Sequence, residues 1–224
     1  MPARRSTFLS RLLVGLVLLV AAFLLDRQAF GFFRTVTLYD HWGEMREGLT
    51  AAKFLASGLG TLAVGLVVGA LDPRRWRRAA AFWLIVVCVA ATGTVIKVLA
   101  GRERPSHEGQ VAGHERTVFD GPSMGLHHAS SQSFPSGHTL SAFASATTLA
   151  AFYPGAAPVF YTVAVATGVN RVVHHQHFLS DVVAGALLGH LMALWLVWRP
   201  RLRRLWQGDD ESLHQRRGEG ATSD

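Results

Sequence analysis

The sequence predicts an all-α integral membrane protein built as a bundle of six transmembrane helices. Half of its 224 residues are apolar and only 17% are charged, and the mean hydropathy is positive. The apolar residues are grouped in runs of roughly 15 to 20, about what an α-helix needs to cross a ~30 Å hydrocarbon core. Arginines are concentrated between the runs, as in the flanks of membrane helices. This composition excludes an ordinary soluble domain.

Six apolar runs define the predicted helices. They cover residues 8–25, 54–71, 79–100, 139–153, 159–173 and 182–198. We assign residues 1–206 to one membrane domain and expect the polar tail, residues 207–224, to be disordered. The N-terminal run resembles a secretory signal, but no small-residue cleavage site follows before Asp26. We therefore expect the first helix to be retained.

Arginine clusters predict the orientation, because basic residues near the ends of membrane helices stay on the cytoplasmic side. The clusters lie before the first run, between the second and third runs, and after the sixth run: Arg4, Arg5, Arg11; Arg74, Arg75, Arg77, Arg78; Arg199, Arg201, Arg203, Arg204. All three fall on one side only if the chain crosses six times. We predict a multi-pass protein of the cell (inner) membrane with both termini in the cytoplasm.

The formal net charge of +7 comes largely from these clusters. No stripe of aromatic and basic residues and no zinc-finger spacing accompanies them, so a nucleic-acid partner is not expected. The single cysteine, Cys88, can form no disulfide within the chain. The oligomeric state is not determined by the sequence.

The first of three chemical motifs lies where the third run ends. Lys97, Arg104 and Pro105 form the pattern K-x6-R-P. The two cations are close to two helical turns apart, so both could lie on one helical face and hold one anion. Gly101 and Pro105 indicate, however, that the helix ends between the cations. The alternative is that Lys97 only extends its ammonium group out of the bilayer.

The second motif, which consists of Pro135, Ser136, Gly137 and His138, precedes the fourth run. Small residues at the start of a helix leave backbone N–H groups unpaired at the positive end of the helix dipole, which suits a phosphate. His138 could donate a proton to a leaving oxygen, because histidine titrates near neutral pH. The alternative is a helix capped by Ser136, followed by an incidental histidine.

The third motif joins the fifth and sixth runs. Arg171, His177 and Asp181 form the pattern R-x5-H-x3-D. The i, i+4 spacing lets the Asp181 carboxylate accept a hydrogen bond from one ring nitrogen of His177, which leaves the other nitrogen unprotonated. Such a ring is a nucleophile, and the carboxylate stabilises the imidazolium formed during reaction. The alternative is that Asp181 only complements the dipole at the start of a helix.

The predicted topology brings the three motifs to one side of the membrane. The third helix ends outside, the fourth begins outside, the fifth ends outside and the sixth begins outside. The motifs were identified without reference to topology, so their agreement supports both inferences. We predict an active site on the extracytoplasmic, or periplasmic, face.

In this order, the three motifs resemble the signature of the type 2 phosphatidic acid phosphatase and vanadium haloperoxidase superfamily. The match runs from Lys97 to Asp181, and the layout of six runs is similar to the membrane branch, the bacterial-type lipid phosphatases. The resemblance implies a phosphatase without metal or cofactor, in which His177 attacks phosphorus, Asp181 orients His177, and His138 protonates the leaving group. It also implies that five residues hold the phosphoryl oxygens: Lys97, Arg104, Ser136, Gly137 and Arg171. The family's third motif usually begins with Ser, where this chain has Asn170.

The expected reaction is hydrolysis of a membrane lipid phosphate or diphosphate through a phosphohistidine. Fixed cations can stabilise the charge on a transferred phosphoryl group without magnesium, so the residue types suit this chemistry. The alternative is a lipid phosphotransferase, in which an alcohol or another lipid intercepts the same intermediate. A non-enzymatic protein with a relic site is disfavoured because every residue that the chemistry needs is present, and a haloperoxidase is disfavoured because the resemblance is to the membrane branch. Undecaprenyl diphosphate, phosphatidylglycerophosphate, phosphatidate and lipid A phosphates all remain candidate substrates.

Other histidines raise the question of a metal site. Four lie in adjacent pairs on the predicted outer side: His127, His128, His174 and His175. These pairs lack an HExxH-like spacing, so no metal is expected. His190, in the middle of the sixth run, is expected to form hydrogen bonds within the bundle. The polar segment 106–134 is long enough to influence head-group selectivity, and Arg102, Glu103 and Arg116 could contribute there or be ordinary surface residues.

Overall fold

The computed structural model describes residues 2–35, 43–72, 74–105, 119–122 and 132–207. The described chain forms eight α-helices: α1 Pro2–Thr35, α2 Gly43–Leu55, α3 Gly58–Leu71, α4 Arg75–Ala100, α5 Gly137–Phe152, α6 Ala157–Val173, α7 Leu179–Val197 and α8 Pro200–Gln207. A short 3-10 helix, Pro154–Ala156, leads into α6. The prediction of an all-α fold is confirmed for these residues. The predicted tail lies outside them except for Gln207, which ends α8.

Membrane character is also confirmed. In the described part of the chain, four segments are long and apolar enough to cross a bilayer: Leu12–Phe33, Trp76–Ala100, Pro154–Val173 and Leu179–Val197. The bent pair α2–α3 could make a fifth span. Helix α5 has only 16 residues, a length of roughly 24 Å against a hydrocarbon core of ~30 Å. The predicted number of six crossings therefore stays a prediction.

Helix α1 differs from its prediction, because it does not end with the apolar run at residue 25 but continues to Thr35. Asp26 follows the run and is only 2% exposed. Its carboxylate lies 2.8 Å from Nη2 of Arg102. The predicted helix end was wrong because a long-range ion pair neutralises Asp26, and the helix passes through this position without an unpaired buried charge.

The second predicted run was placed as one helix from residue 54, but the chain bends within it. The axes of α2 and α3 meet at 71°. Ser57 begins α3, and its hydroxyl accepts a hydrogen bond from the Gly60 N–H at 3.2 Å. A Cβ at Gly60 would collide with the Phe54 carbonyl oxygen. The absence of a side chain at Gly60 and the Ser57 cap together permit the bend, which was not predicted.

Helix α5 packs against α4, α6 and α7. Its approach to α7 is close because Gly185 and Gly189 face it. A Cβ at Gly185 would lie 2.7 Å from the Ser136 carbonyl oxygen, and one at Gly189 would collide with the Leu140 carbonyl. These glycines therefore serve helix packing. The contact brings the second and third motifs together, and the Ser136 N–H donates to the Asp181 carbonyl at 3.0 Å.

A second polar contact ties the helices together at the opposite end. Asp72, just after α3, accepts hydrogen bonds from Arg78 Nη1 and from the Tyr153 hydroxyl, both at 2.6 Å. Trp206 of α8 is buried against Phe152, with 5.1 Å between the ring centroids. The α3–α4 junction and the basic segment after α7 therefore lie at one end of the bundle, away from the three motifs.

Candidate active site

Residues from all three motifs line one cavity of about 350 Å³. The ionisable side chains in its wall are those of Lys97, Arg104, His138 and His177, and Gly137 also lines it. The rest of the wall consists mainly of small residues from the α2–α3 bend and from α4: Ala56, Ser57, Gly58, Ala90, Gly93 and Thr94. The cavity thus places two cations and two histidines around a space large enough for a phosphate.

Lys97 and Arg104 reach the cavity because the chain turns sharply after α4. The helix ends at Ala100, and Gly101 follows in the left-handed region with φ 58°. A Cβ at Gly101 would also collide with the Gly121 carbonyl. Beyond the turn, Arg104 donates to the Gln132 carbonyl at 3.1 Å and to Gln176 Oε1 at 3.2 Å. The predicted helix end is confirmed, and the two cations meet through a turn rather than on one helical face.

The second motif forms the N-terminus of α5. Ser136 is fully buried, and its hydroxyl lies 2.9 Å from that of Thr139. It makes no side-chain cap to the helix. Gly137 opens the helix, and a Cβ there would lie 3.9 Å from Nζ of Lys97. The Lys97 ammonium and the positive end of the α5 dipole therefore face the same small volume, which favours an anion.

His177 lies between α6 and α7 and is only 2% exposed. Its Nδ1 is 3.3 Å from the Ser133 hydroxyl and 3.7 Å from Oδ2 of Asp181. The Ser133 hydroxyl donates to the same Asp181 oxygen, which also accepts the Phe178 N–H at 2.8 Å. The two predicted partners are therefore neighbours, but 3.7 Å is too long for the predicted direct hydrogen bond, and the Ser133 hydroxyl contacts both of them. Asp181 also caps α7, so the alternative role applies as well.

The pKa of His177 departs from that of an exposed histidine. Burial lowers it to about 4, although the neighbouring Asp181 carboxylate acts in the opposite direction. The Lys97 and Arg171 charges add to the lowering. At neutral pH the ring is therefore uncharged, and one nitrogen keeps the lone pair that a nucleophile needs.

This pKa can be measured directly. We expect the ring nitrogens of His177 to titrate near pH 4, so that the ring takes up its proton only as the pH falls through that value. Nitrogen-15 NMR of histidine-labelled protein in detergent would follow the titration, and the signal would be assigned by its loss in His177→Asn. Titration near 6.5, the ordinary value for histidine, would contradict the effect of burial.

A buried arginine, Arg102, binds the Asp181 carboxylate that lies beside His177. Arg102 is completely buried, and its guanidinium lies between the carboxylates of Asp26 and Asp181, at 2.8 Å and 2.6 Å. It also donates to the Ser180 hydroxyl at 2.7 Å and stacks over the Phe178 ring at 4.2 Å. We placed Arg102 with the surface loop, and that placement was wrong. The signal that could have revealed it is Asp26, a carboxylate beside an apolar run, which needs a partner.

Arg171 and Asn170 line a second, adjoining cavity of about 540 Å³. This cavity shares Arg104 and His138 with the first. Its other lining residues come from α2 and from the turn after α6: Thr50, Lys53, His174 and Gln176. Arg171 lines this second cavity and is not among the residues that line the first.

Several predictions concern residues outside the two cavities. Nδ1 of His190 lies 2.9 Å from the Thr147 hydroxyl and 3.1 Å from that of Tyr161, so the predicted hydrogen bonding within the bundle is confirmed. His127 and His128 lie outside the described residues, as does segment 106–134 apart from residues 119–122 and 132–134. Their predicted roles therefore stay predictions.

Comparisons with known proteins agree with one another. Residues 78–205 match the model of the PAP2 superfamily. The lipid A 1-phosphatase of Porphyromonas gingivalis is 43% identical over 70 residues, which cover 30% of this chain and 16% of that protein. The lipid A 1-phosphatase of Rhizobium etli is 32% identical over 109 residues, covering 49% of this chain and 44% of that protein. The chain thus spans less than half the length of either relative.

A solved structure has a similar fold. It is that of a transmembrane PAP2-type phosphatidylglycerolphosphate phosphatase from Bacillus subtilis, with a TM-score of 0.62 and 22% sequence identity. The match covers 92% of this chain and 96% of the other. The likeness therefore extends over the helices outside the three motifs.

Proposed function

Because the chain belongs to the PAP2 superfamily, we propose that it is a membrane phosphatase that hydrolyses a lipid phosphate or diphosphate through a phosphohistidine on His177. The resemblance drawn from the three motifs is confirmed by this membership. The observation that carries the proposal is the buried His177, which lies beside Ser133 and Asp181 and lines a cavity with Lys97 and Arg104.

In the proposed first step, His177 attacks phosphorus. Its Nδ1 faces Ser133 and Asp181, so Nε2 is the nitrogen that forms the bond to phosphorus. The bond from phosphorus to the leaving oxygen breaks, and His138 donates a proton to that oxygen. Burial and the neighbouring cations lower the pKa of His138 to about 4 in the protein without substrate, and the negative charge of a bound phosphate raises it, so His138 takes up this proton together with the substrate. Asp181 stabilises the positive charge that develops on the His177 ring. Lys97, Arg104 and Arg171 stabilise the charge on the equatorial oxygens, together with the N-terminus of α5.

In the second step, water attacks the phosphohistidine. His138 accepts a proton from the water, the bond between nitrogen and phosphorus breaks, and inorganic phosphate leaves with His177 restored. If an alcohol took the place of water, the product would be a phosphorylated alcohol, and the protein would be a phosphotransferase. The same residues serve both reactions, so the acceptor decides between the two functions.

We further propose that the site faces the extracytoplasmic side of the inner membrane and that both termini are cytoplasmic. The positions of the arginines support this orientation. The basic α3–α4 junction and the basic segment after α7 lie at the end of the bundle opposite the cavity, where Arg78 pairs with Asp72. Basic residues of this kind are retained in the cytoplasm.

A lipid substrate is supported by the membrane helices around the site and by the names of the relatives, which are lipid A 1-phosphatases. The structural neighbour is a phosphatidylglycerolphosphate phosphatase. These names describe the activities of those proteins. The substrate of this chain is to be identified by the experiment that follows.

The test is phosphate release from a panel of lipids by the purified protein in detergent. The panel contains undecaprenyl diphosphate, phosphatidylglycerophosphate, phosphatidate and a lipid A 1-phosphate. We expect release from at least one of them, inhibition by vanadate, which mimics five-coordinate phosphorus, and full activity in the presence of a chelator. Release from none would contradict the proposal. Transfer of phosphate to added alcohol without release to water would favour the phosphotransferase.

A further inference from the structure

We infer that the second cavity binds the inner phosphoryl group of a lipid diphosphate, and that Lys53 and Asn170 select such substrates over lipid monophosphates. This inference rests on the proposed function, because it concerns the leaving group of the same reaction. It narrows the substrate class to lipids in which two phosphoryl groups are directly joined.

The charge of the second cavity supports an anionic occupant. Lys53, Arg104 and Arg171 line it, and none of its described lining residues is acidic. Lys53 comes from α2 and belongs to none of the three motifs. Three cations in one concave space attract and hold a phosphoryl group, whereas a neutral head group would leave their charges uncompensated.

Two buried side chains in the same cavity have polar atoms without a hydrogen-bond partner among the described residues. Asn170 is 1% exposed, and within the described part of the chain neither its Nδ2 nor its Oδ1 has a hydrogen-bond partner. Arg171 is 5% exposed, and its Nε has none. Buried polar atoms without a hydrogen bond destabilise a protein, so such atoms usually bind a partner such as a ligand or an ordered water. A phosphoryl oxygen would accept hydrogen bonds from both the Asn170 amide and the Arg171 guanidinium.

The geometry of the reaction directs the leaving group into this cavity. His177 lines the first cavity but not the second, whereas His138 and Arg104 line both. In phosphoryl transfer the attacking and leaving atoms lie roughly in line on opposite sides of phosphorus. With the terminal phosphoryl group between His177 and His138, the leaving oxygen points away from His177 and toward His138, which also lines the second cavity. There the leaving group would be surrounded by Lys53, Arg171 and Asn170. Two cations and an amide suit a leaving group that carries its own phosphate.

The proposed step transfers the terminal phosphoryl group of the diphosphate to His177. The bond between His177 Nε2 and the terminal phosphorus forms, and the bond from that phosphorus to the bridging oxygen breaks. The bridging oxygen stays with the lipid monophosphate, whose negative charge is stabilised by Lys53 and Arg171. Water later releases the terminal phosphoryl group from His177 as inorganic phosphate.

The first test compares a polyprenyl diphosphate with the monophosphate of the same chain length. We expect the wild-type protein to have the higher kcat/KM for the diphosphate. Lys53→Met should lower the ratio of the two kcat/KM values about tenfold, because an interaction between opposite charges is lost on one substrate only. Arg199→Met, which removes one positive charge at the opposite end of the bundle, serves as the matched control and should keep the wild-type ratio.

The second test needs no turnover. Inorganic pyrophosphate should bind to the detergent-solubilised protein more tightly than orthophosphate, as measured by calorimetry, and Lys53→Met should remove most of the difference. Equal binding of the two anions, or a diphosphate preference that persists in Lys53→Met, would overturn the inference. A protein that hydrolyses lipid monophosphates without preferring diphosphates would refute the inference and leave the proposed function intact. Selective pyrophosphate binding without turnover of any lipid would support the anion site in the second cavity and refute the proposed function.

Discussion

Replacing His177 with alanine is expected to lower the rate of phosphate release by roughly four to six orders of magnitude, the range found when a nucleophile is removed from an enzyme. The cause is specific, because the variant lacks the only atom that the mechanism uses to form a covalent bond to phosphorus. Steady-state phosphate release from the preferred lipid measures the effect. The loss should be the same with and without a chelator.

A second histidine, His190, provides the control for His177→Ala. His190 lies within the bundle, hydrogen-bonded to Thr147 and Tyr161, and lines neither cavity. His190→Gln keeps a polar side chain at that position and should retain turnover near the wild-type rate. Thermal unfolding in detergent should show that His177→Ala remains folded. Turnover in folded His177→Ala within tenfold of the wild type would exclude His177 as the nucleophile.

Replacing Arg102 with methionine is expected to cost about 3 to 5 kcal/mol of stability, the range for breaking a buried ion pair by removing one partner. Two carboxylates, those of Asp26 and Asp181, would be left buried without their shared cation. Turnover should also fall strongly, because Asp181 would lose the only cation paired with it among the described residues, and Ser133 and the Phe178 N–H would be left to hold it beside His177. Chemical unfolding in detergent and kcat at saturating lipid measure the two effects.

Two further variants separate the role of Arg102 from a general effect of losing an arginine. Arg78→Met breaks the partly exposed pair with Asp72 at the other end of the bundle and should keep kcat. Adding Asp26→Asn to Arg102→Met removes one of the stranded charges and should recover part of the lost stability. Equal effects of Arg78→Met and Arg102→Met on kcat would show that Arg102 has no particular connection to the site.

The sequence predicted the parts of the site that depend on local signals. Gly101 indicated the end of α4, and the small residues before His138 indicated the start of α5, because glycine and the absence of bulky side chains act on the backbone within a few residues. The spacing of His177 and Asp181 likewise describes a contact within one helical turn. The apolar runs predicted membrane helices for the same reason.

The parts that were missed depend on contacts between distant residues. Asp26 and Arg102 are far apart in sequence. The position of Asp26 beside an apolar run indicates that it needs a partner, but no local pattern identifies Arg102 as that partner. The continuation of α1 and the burial of Arg102 therefore became clear only from the packed structure. Ser133 was missed because only the packed structure places its hydroxyl beside His177. The second cavity was missed because Lys53 reaches it from α2, a helix that begins at Gly43, before the second apolar run, and was not predicted.

Trapping the covalent phosphohistidine would show whether His177 is the nucleophile. The protein is mixed with lipid carrying a radioactive terminal phosphate, quenched in alkali within milliseconds, digested and mapped. We expect a phosphoryl group that survives alkali, is lost in acid, and lies on the peptide that contains His177. Continued release of labelled phosphate with no label on His177 at any time point would contradict it.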